Sequence, residues 1–176
     1  MRTLNLLTAV ALALPLDVSA QTTTPPSGYE LRWSDEFNGT SLNTTLWNIE
    51  ENGNGGGNQE LQYYRKENVA VHDRNLVLTA RRENYNNKQF TSGRVNTRDK
   101  AYFKHGIIQA RIKFPKTANG VWPAYWMMGN DYGKVGWPKC GEIDIVETGN
   151  ADGIKNGTQT RHFGATLHWG TSAGAN

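Results

Sequence analysis

The stretch GEIDIVETGN, residues 141–150, places three carboxylates in a segment rich in β-branched residues. Successive side chains of a β-strand point to opposite faces, so Glu142 and Asp144 share one face and the isoleucines the other. Glu147 has the opposite parity and would point into the core, where an unpaired carboxylate is very costly to bury. One β-bulge adds a residue and returns Glu147 to the face of the other acids. The sequence therefore predicts a strand with a bulge at Ile145–Val146.

A row of carboxylates on one strand face is compatible with three roles. It can be a solvated face, a Ca²⁺ site built from clustered oxygens, or a catalytic site. Retaining glycosidases use two carboxyl groups about 5–5.5 Å apart, one attacking the anomeric carbon and one protonating the leaving oxygen. A third acid between them helps to keep their pKa values apart. The acids alone leave all three roles open.

Tryptophans near the acids favour a carbohydrate site. Trp122 and Trp126 share one face of the stretch VWPAYWMMG by strict alternation, and Trp137 lies in a loop five residues before Glu142. Sugars stack their C–H faces on such rings, although a strand tryptophan more often belongs to the core. All three are candidate sugar contacts, and the core remains the alternative for Trp126.

Short runs of β-branched and aromatic residues recur along the chain between Gly, Asn and Asp, and helical periodicity is hard to find. This spacing predicts an all-β fold, an antiparallel β-sandwich in one domain. The glycine-rich residues 53–58 predict a loop whose backbone comes close to another group, with a plain surface linker as the alternative. The predicted strands are residues 29–33, 68–72, 75–82, 93–97, 106–114, 121–128, 141–147 and 163–169.

Residues 1–20 have a positively charged start, an apolar run from Leu4 to Leu16 and small residues at the end, which is typical of a secretory signal peptide. The apolar run is shorter than the roughly 20 residues needed to span a bilayer. Residues 21–28 predict a stiff, polar Thr/Pro-rich leader, so the folded domain occupies residues 29–176. We expect an exported protein, extracellular or periplasmic, without a membrane partner.

The composition indicates a chain that folds, with 37% hydrophobic and 10% aromatic residues. The net charge is +3, but the basic residues are scattered and the strongest local signal is acidic. The sequence therefore argues against nucleic acid as a partner.

Four motifs carry a family resemblance. GEIDIVE, preceded by GVWPAYWMMG, GNQELQYY and WSDEFNG, resembles glycoside hydrolase family 16 and, within it, the laminarinases, which are endo-β-1,3-glucanases. The resemblance implies a β-jelly roll of the concanavalin type with a concave substrate cleft. It also implies a retaining double displacement with Glu142 as nucleophile, Glu147 as general acid/base and Asp144 as supporting acid. The E-x-D-x-x-E spacing is the bulged form of the family's motif.

The resemblance extends to residues outside the acid row. By position, Trp137 and Trp122 match sugar-stacking tryptophans, and Asn58, Arg94 and His168 match polar groups that hydrogen-bond the glucan. From the residues alone, the alternative for Arg94 is a cross-strand charge pair, and for His168 a core histidine with satisfied hydrogen bonds.

The same motifs imply a substrate class. The stretches WPAYWMMG and NQELQYY favour β-1,3-glucan over galactans, and mixed-linkage β-1,3-1,4-glucan stays open. Catalysis of this kind requires no cofactor. Many members of the family hold a structural calcium, partly through the N-terminal region, so Glu36 is a candidate ligand. The C-terminal aspartate that usually completes that site has no counterpart here.

The length predicts an incomplete domain. Sandwich domains of this kind commonly have about 200–250 residues, so residues 29–176 correspond to the N-terminal two-thirds of one. We expect a fragment of a longer product, with a poorly folding or self-associating protein as alternatives, and a monomer when full-length. The expected function is secreted, endo-acting hydrolysis of β-1,3-glucan. The alternatives are a non-catalytic β-glucan-binding protein, an inactive fragment, or a calcium-stabilised structural domain.

Overall fold

The computed structural model describes residues 24–117 and 120–172, and the chain divides into two compact units, residues 1–35 and 36–176. The predicted signal peptide lies outside the described residues. Residues 24–35 contain no helix or strand, so the predicted strand at 29–33 is wrong. A run with strand-like composition becomes a strand only when another strand pairs with its backbone. In the described residues, no strand pairs with this run.

The regular elements of the second unit are mainly short strands. A 3₁₀ turn covers Lys66–Asn68, and the longest described helix has five residues. No helix in the described ranges is long and apolar enough to cross a membrane. The elements are β1 (Asn48–Ile49), β2 (Gln62–Tyr64), β3 (Val69–His72), β4 (Asn75–Leu78), β5 (Phe90–Ser92), β6 (Val95–Asn96), β7 (Ala124–Met128), α1 (Tyr132–Val135), β8 (Glu142–Glu147), α2 (Ala151–Lys155) and β9 (Gly164–His168).

The strands form four small sheets. Strands β7, β8 and β9 make an antiparallel three-stranded sheet with β8 at its centre, and β1–β6 and β3–β4 are antiparallel pairs. Strand β2 pairs with β5 in parallel, so the prediction of a purely antiparallel arrangement is wrong for this pair. Strands β1, β2 and β5 were not predicted, because two or three residues are too short to show alternation.

Six of the eight predicted strands contain an observed strand, whereas the one at 106–114 is wrong. Residues 101–117 carry neither helix nor strand, although Ile108 and Ile112 have the alternation of a strand face. These two side chains are 39% and 43% exposed. The apolar pattern is real, but no described strand lies beside this segment to accept its backbone hydrogen bonds.

Strand β8 carries the predicted bulge. Against β9, Asp144 pairs with Thr166 and Glu147 pairs with Gly164, so three steps along β8 correspond to two along β9. The extra residue lies at Ile145–Val146. The prediction made from the parity of the three acids is therefore confirmed.

The ladder between β8 and β7 shows the same irregularity. Tyr125 pairs with Val146 and Trp126 with Asp144, so one step along β7 corresponds to two along β8. The extra residue therefore belongs to β8 and alters its register against both neighbours.

Candidate active site

The bulge brings the three acids of β8 to one face of the sheet, and we call Glu142, Asp144 and Glu147 the acid row. Asp144 is in the middle of the row and is only 5% exposed, while the two glutamates are half-buried. Each acid has a cross-strand neighbour on β7, with Met128 opposite Glu142, Trp126 opposite Asp144 and Ala124 opposite Glu147.

The environment of Glu142 favours its protonated form. Burial is the main reason that its pKa is raised, and the negative charge of Asp144 adds to the effect. Two groups oppose this rise. Nε1 of Trp137 donates a hydrogen bond of 2.7 Å to Oε2 of Glu142, and His168 acts in the same direction. Trp137 therefore contacts an acid directly, in addition to offering a ring that is 41% exposed.

Glu147 lies in a comparable environment at the other end of the row. Burial and then the charge of Asp144 raise its pKa, while the neighbouring Trp122 and His168 oppose the rise. The Trp122 side chain is 53% exposed, so its ring is open to a ligand beside Glu147. Each glutamate thus has one exposed tryptophan that opposes the rise of its pKa.

His168, at the end of β9, contacts the centre of the acid row. Its Nε2 lies 3.1 Å from Oδ2 of Asp144, and its ring centroid is 5.7 Å from that of Trp137. The histidine side chain is 28% exposed. The structure therefore places His168 at the site, where its hydrogen bond holds the central acid. Its contact with a glucan stays a prediction.

Trp126 and Arg94 form the flank of the site on the β7 side. Trp126 is half-buried opposite Asp144, and Cζ of Arg94 lies 4.8 Å from its ring centroid. Nε of Arg94 is 3.0 Å from Oε1 of Glu50. The cross-strand charge pair that was the alternative for Arg94 is therefore present. Glu50 was missed because the β1–β6 pairing that places it there was not predicted.

Two predicted site residues remain apart from the acid row. Asn58 is exposed in a turn where its backbone N–H donates to the carbonyl of Gly55 at 2.9 Å, and the described residues show no contact between it and the acids. Glu36 is also exposed. No group of three or more His, Cys, Asp or Glu side chains suited to a metal ion occurs in the described ranges. The structure thus adds no ligand to Glu36, and structural calcium stays a prediction.

An all-β fold with a bulged acidic strand between tryptophans has the features of a carbohydrate-active β-sandwich protein. Comparison with known proteins agrees with this class. Residues 5–142 match the model of the family described as "Beta-glucan synthesis-associated protein SKN1/KRE6/Sbg1".

Several similar proteins with curated names or solved structures are β-glucanases. The chain is 39% identical to glucan endo-1,3-beta-glucosidase A1 of Niallia circulans over 90% of its own length and 26% of that protein. It superimposes with a TM-score of 0.72 on the laminarinase catalytic domain of Thermotoga petrophila RKU-1, at 42% identity, covering 83% of this chain and 59% of that one. A mixed-linkage glucan GH16 structure from Bacteroides ovatus gives a TM-score of 0.71 at 41% identity, covering 80% and 58%.

The chain belongs to glycoside hydrolase family 16, to which the SKN1/KRE6/Sbg1 family is related. The predicted β-jelly-roll fold class and the resemblance to laminarinases are thereby confirmed. The chain spans 26% of the curated bacterial relative and 58–59% of the two solved structures.

Proposed function

We propose that this chain carries the catalytic acids of an endo-acting hydrolase of β-1,3-glucan. One observation supports the proposal above all others. The bulge at Ile145–Val146 puts Glu142, Asp144 and Glu147 on one face, and burial with the charge of Asp144 raises the pKa of both glutamates. Two glutamates on one strand face match the acid pair of a retaining glycosidase, and the hydrogen bond from Trp137 opposes the pKa rise at Glu142 alone.

In the first step, Glu142 attacks the anomeric carbon as a carboxylate while Glu147 donates its proton to the leaving glycosidic oxygen. The C–O bond breaks and a covalent glycosyl-enzyme forms. The Trp137 hydrogen bond favours the ionised form of Glu142, as a nucleophile requires. The raised pKa of Glu147 suits a group that must hold a proton near neutral pH.

In the second step, Glu147 accepts a proton from water, and the oxygen of that water attacks the anomeric carbon. The Glu142 carboxylate departs, and two inversions give net retention. Asp144, hydrogen-bonded to His168, stays between the two glutamates as the supporting acid. The sequence of steps uses only carboxyl groups and water, without a cofactor.

The proposed substrate is a β-1,3-glucan of the laminarin type, with mixed-linkage β-1,3-1,4-glucan as a second substrate. Both classes occur among the similar proteins, since the Thermotoga petrophila relative is a laminarinase and the Bacteroides ovatus relative a mixed-linkage glucan GH16 protein. We also propose export through the signal peptide of residues 1–20, which suits a substrate too large to enter a cell.

The test is release of reducing ends from laminarin by the purified chain and by its Glu142→Gln variant. The matched control is Glu51→Gln, which makes the same change at an exposed glutamate. We expect release by the parent and the control, a loss on the order of 10⁴-fold in Glu142→Gln, and first products with the β-anomeric configuration. Activity that survives Glu142→Gln contradicts the assigned role.

A parent chain that sediments with insoluble β-1,3-glucan but releases no reducing ends is instead a glucan-binding protein. Mixed-linkage glucan assayed beside laminarin decides between the two substrates.

A further inference from the structure

We propose that Glu50 is a positioning residue that holds the Arg94 guanidinium against the rings of Trp126 and Tyr64, forming a rigid cation–aromatic platform for a glucose unit beside the acid row. This inference rests on the proposed function, because it assigns to the same site a further element of glucan binding.

Glu50 and Arg94 are cross-strand neighbours just beyond the β1–β6 ladder. The backbone N–H of Glu50 donates to the Arg94 carbonyl at 2.9 Å, which fixes the two side chains side by side. Their ion pair of 3.0 Å is partly shielded from water, since each side chain is 24% exposed. Shielding strengthens an ion pair relative to a fully exposed one.

The other contacts of Glu50 show that it holds Arg94 rather than facing a ligand. Its Oε1 accepts a second hydrogen bond from Nδ2 of Asn96 at 3.0 Å, and its Oε2 accepts one from Nδ2 of Asn52 at 3.4 Å. Both carboxylate oxygens therefore already have protein donors. A carboxylate anchored by two amides has little freedom to turn toward a sugar.

The Arg94 guanidinium, unlike the Glu50 carboxylate, lies near two aromatic rings. Its Cζ lies 4.8 Å from the ring centroid of Trp126 and 5.5 Å from that of Tyr64. A guanidinium at such distances is attracted by the ring faces. The ion pair with Glu50 is made by Nε of Arg94, so this ion pair does not occupy the two terminal nitrogens of the guanidinium. Because Trp126 is opposite Asp144, this platform adjoins the acid row.

The Tyr64 ring is fixed from its far end by Glu60. The Tyr64 hydroxyl donates to Oε2 of Glu60 at 2.6 Å, and Nε2 of Gln62 donates to the same oxygen at 2.8 Å. Burial, and then Glu60, raise the pKa of Tyr64 to about 12, so the phenol stays neutral. A Cβ at Gly56 would lie 2.5 Å from Oε1 of Glu60. The glycine-rich loop thus approaches this carboxylate closely.

A platform of this kind affects binding more than bond cleavage. Hydroxyl groups of a glucose unit accept hydrogen bonds from the guanidinium equally in the ground state and the transition state. Such uniform binding lowers KM without raising kcat. Loosening Arg94 should therefore raise KM and leave kcat almost unchanged, whereas damage to the acid row lowers kcat.

The test compares Glu50→Gln with Glu51→Gln in laminarin hydrolysis by the full chain. Gln at position 50 keeps the shape of the side chain but removes the charge that holds Arg94. We expect KM to rise about three- to tenfold, with kcat within about twofold of the parent. Arg94→Lys, which keeps the charge but lacks the planar fork, should give the same pattern. Glu51→Gln should behave as the parent.

A measurement without ligand tests whether Glu50 holds the geometry around Arg94, independently of glucan hydrolysis. Near-ultraviolet circular dichroism should change in Glu50→Gln and not in Glu51→Gln, because Trp126 and Tyr64 lose a fixed neighbour. A parent that cleaves laminarin, with Glu50→Gln matching Glu51→Gln in KM, overturns this inference alone. A fall in kcat at unchanged KM also overturns it. A parent that neither binds nor cleaves laminarin overturns the proposed function and this inference with it.

Discussion

The acid row and the Glu50–Arg94 cluster are adjacent groups of charged side chains with opposite compositions. In the acid row, three carboxylates share one face, and within the described residues the only ion-pair partner is His168. In the other cluster, a single carboxylate has an arginine and two amides. Trp126 contacts Arg94 and pairs across the ladder with Asp144, so the two groups meet at one ring.

The difference shows that the arrangement of charges determines whether a carboxylate has a shifted pKa or a fixed position. Uncompensated like charges and partial burial raise the pKa of Glu142 and Glu147. The raised pKa suits the proposed proton donor Glu147, whereas at Glu142, the proposed nucleophile, the hydrogen bond from Trp137 opposes the rise. A compensated carboxylate instead gains a fixed position. The following experiments alter one cluster at a time.

Deleting Val146 should have the largest effect, because it removes the bulge on which the acid row depends. Without the extra residue, Glu147 returns to the opposite face and the general acid leaves the site. We expect laminarin hydrolysis to fall by about 10³-fold or more, as for loss of acid–base catalysis. Glu147→Gln, which keeps the bulge, should lose a similar amount. Circular dichroism and glucan binding show whether the deletion variant keeps its fold, and a folded variant with near-parental activity would refute the role of the bulge.

Asp144→Asn removes one negative charge from the acid row and tests how far that charge raises the pKa values of the two glutamates. The pKa of Glu142 and that of Glu147 should both fall, because the Asp144 charge raises each of them. We expect about 10- to 100-fold lower kcat and a pH–rate profile displaced to lower pH. His168→Gln is the matched opposite, since His168 lowers both pKa values and its removal should displace the profile to higher pH. Displacement of both profiles in one direction would contradict this account.

Trp137→Phe should have a smaller effect, confined to one end of the row. The ring remains for sugar stacking, but the Nε1–H that donates to Glu142 is lost, so the pKa of Glu142 should rise. A nucleophile with a higher pKa is less ionised in acid. We expect kcat to fall about three- to tenfold at pH 5 and less at pH 7. Trp169→Phe, at a tryptophan that is 59% exposed, is the control. An equal loss at both pH values would exclude the hydrogen bond as the cause.

The bulge was predictable from sequence because its reason lies within six residues of one strand. Strict alternation would place Glu147 on the core face. Because burying an unpaired carboxylate costs much free energy, a bulge that returns it to the other face is expected. The resemblance to a family added roles for Glu142 and Glu147, and the structure supplied the neighbouring side chains that shift their pKa values.

The Glu50–Arg94 cluster could be predicted only in part, because its partners are distant in sequence. Arg94 had a cross-strand charge pair as an alternative, but its partner depends on β1 and β6, two strands of two residues each. Strands this short carry no readable period. The opposite error occurred at 106–114, where a clear period was present without a neighbouring strand. Alternation indicates which residues are suited to a strand. Whether they form one depends on a partner strand, which can come from a distant part of the sequence.

Neutralising one carboxylate in each cluster should change stability by the smallest amounts, but with opposite signs. The folded-state pKa of Glu147 is raised above its unfolded value, so the folded state binds more protons between those two values and loses stability as pH rises through them. Glu147→Gln should therefore raise Tm at pH 7 by about 1–2 °C after allowance for solvent screening, and this gain should vanish below about pH 4. Glu50→Gln should lower Tm at pH 7 by about 1–3 °C, because Arg94 loses its ion-pair partner. Thermal unfolding followed by circular dichroism at pH 4 and pH 7 measures both. A shift of the same sign in the two variants at pH 7 would show that the clusters do not differ in charge compensation, since only an uncompensated carboxylate stabilises the fold when its charge is removed.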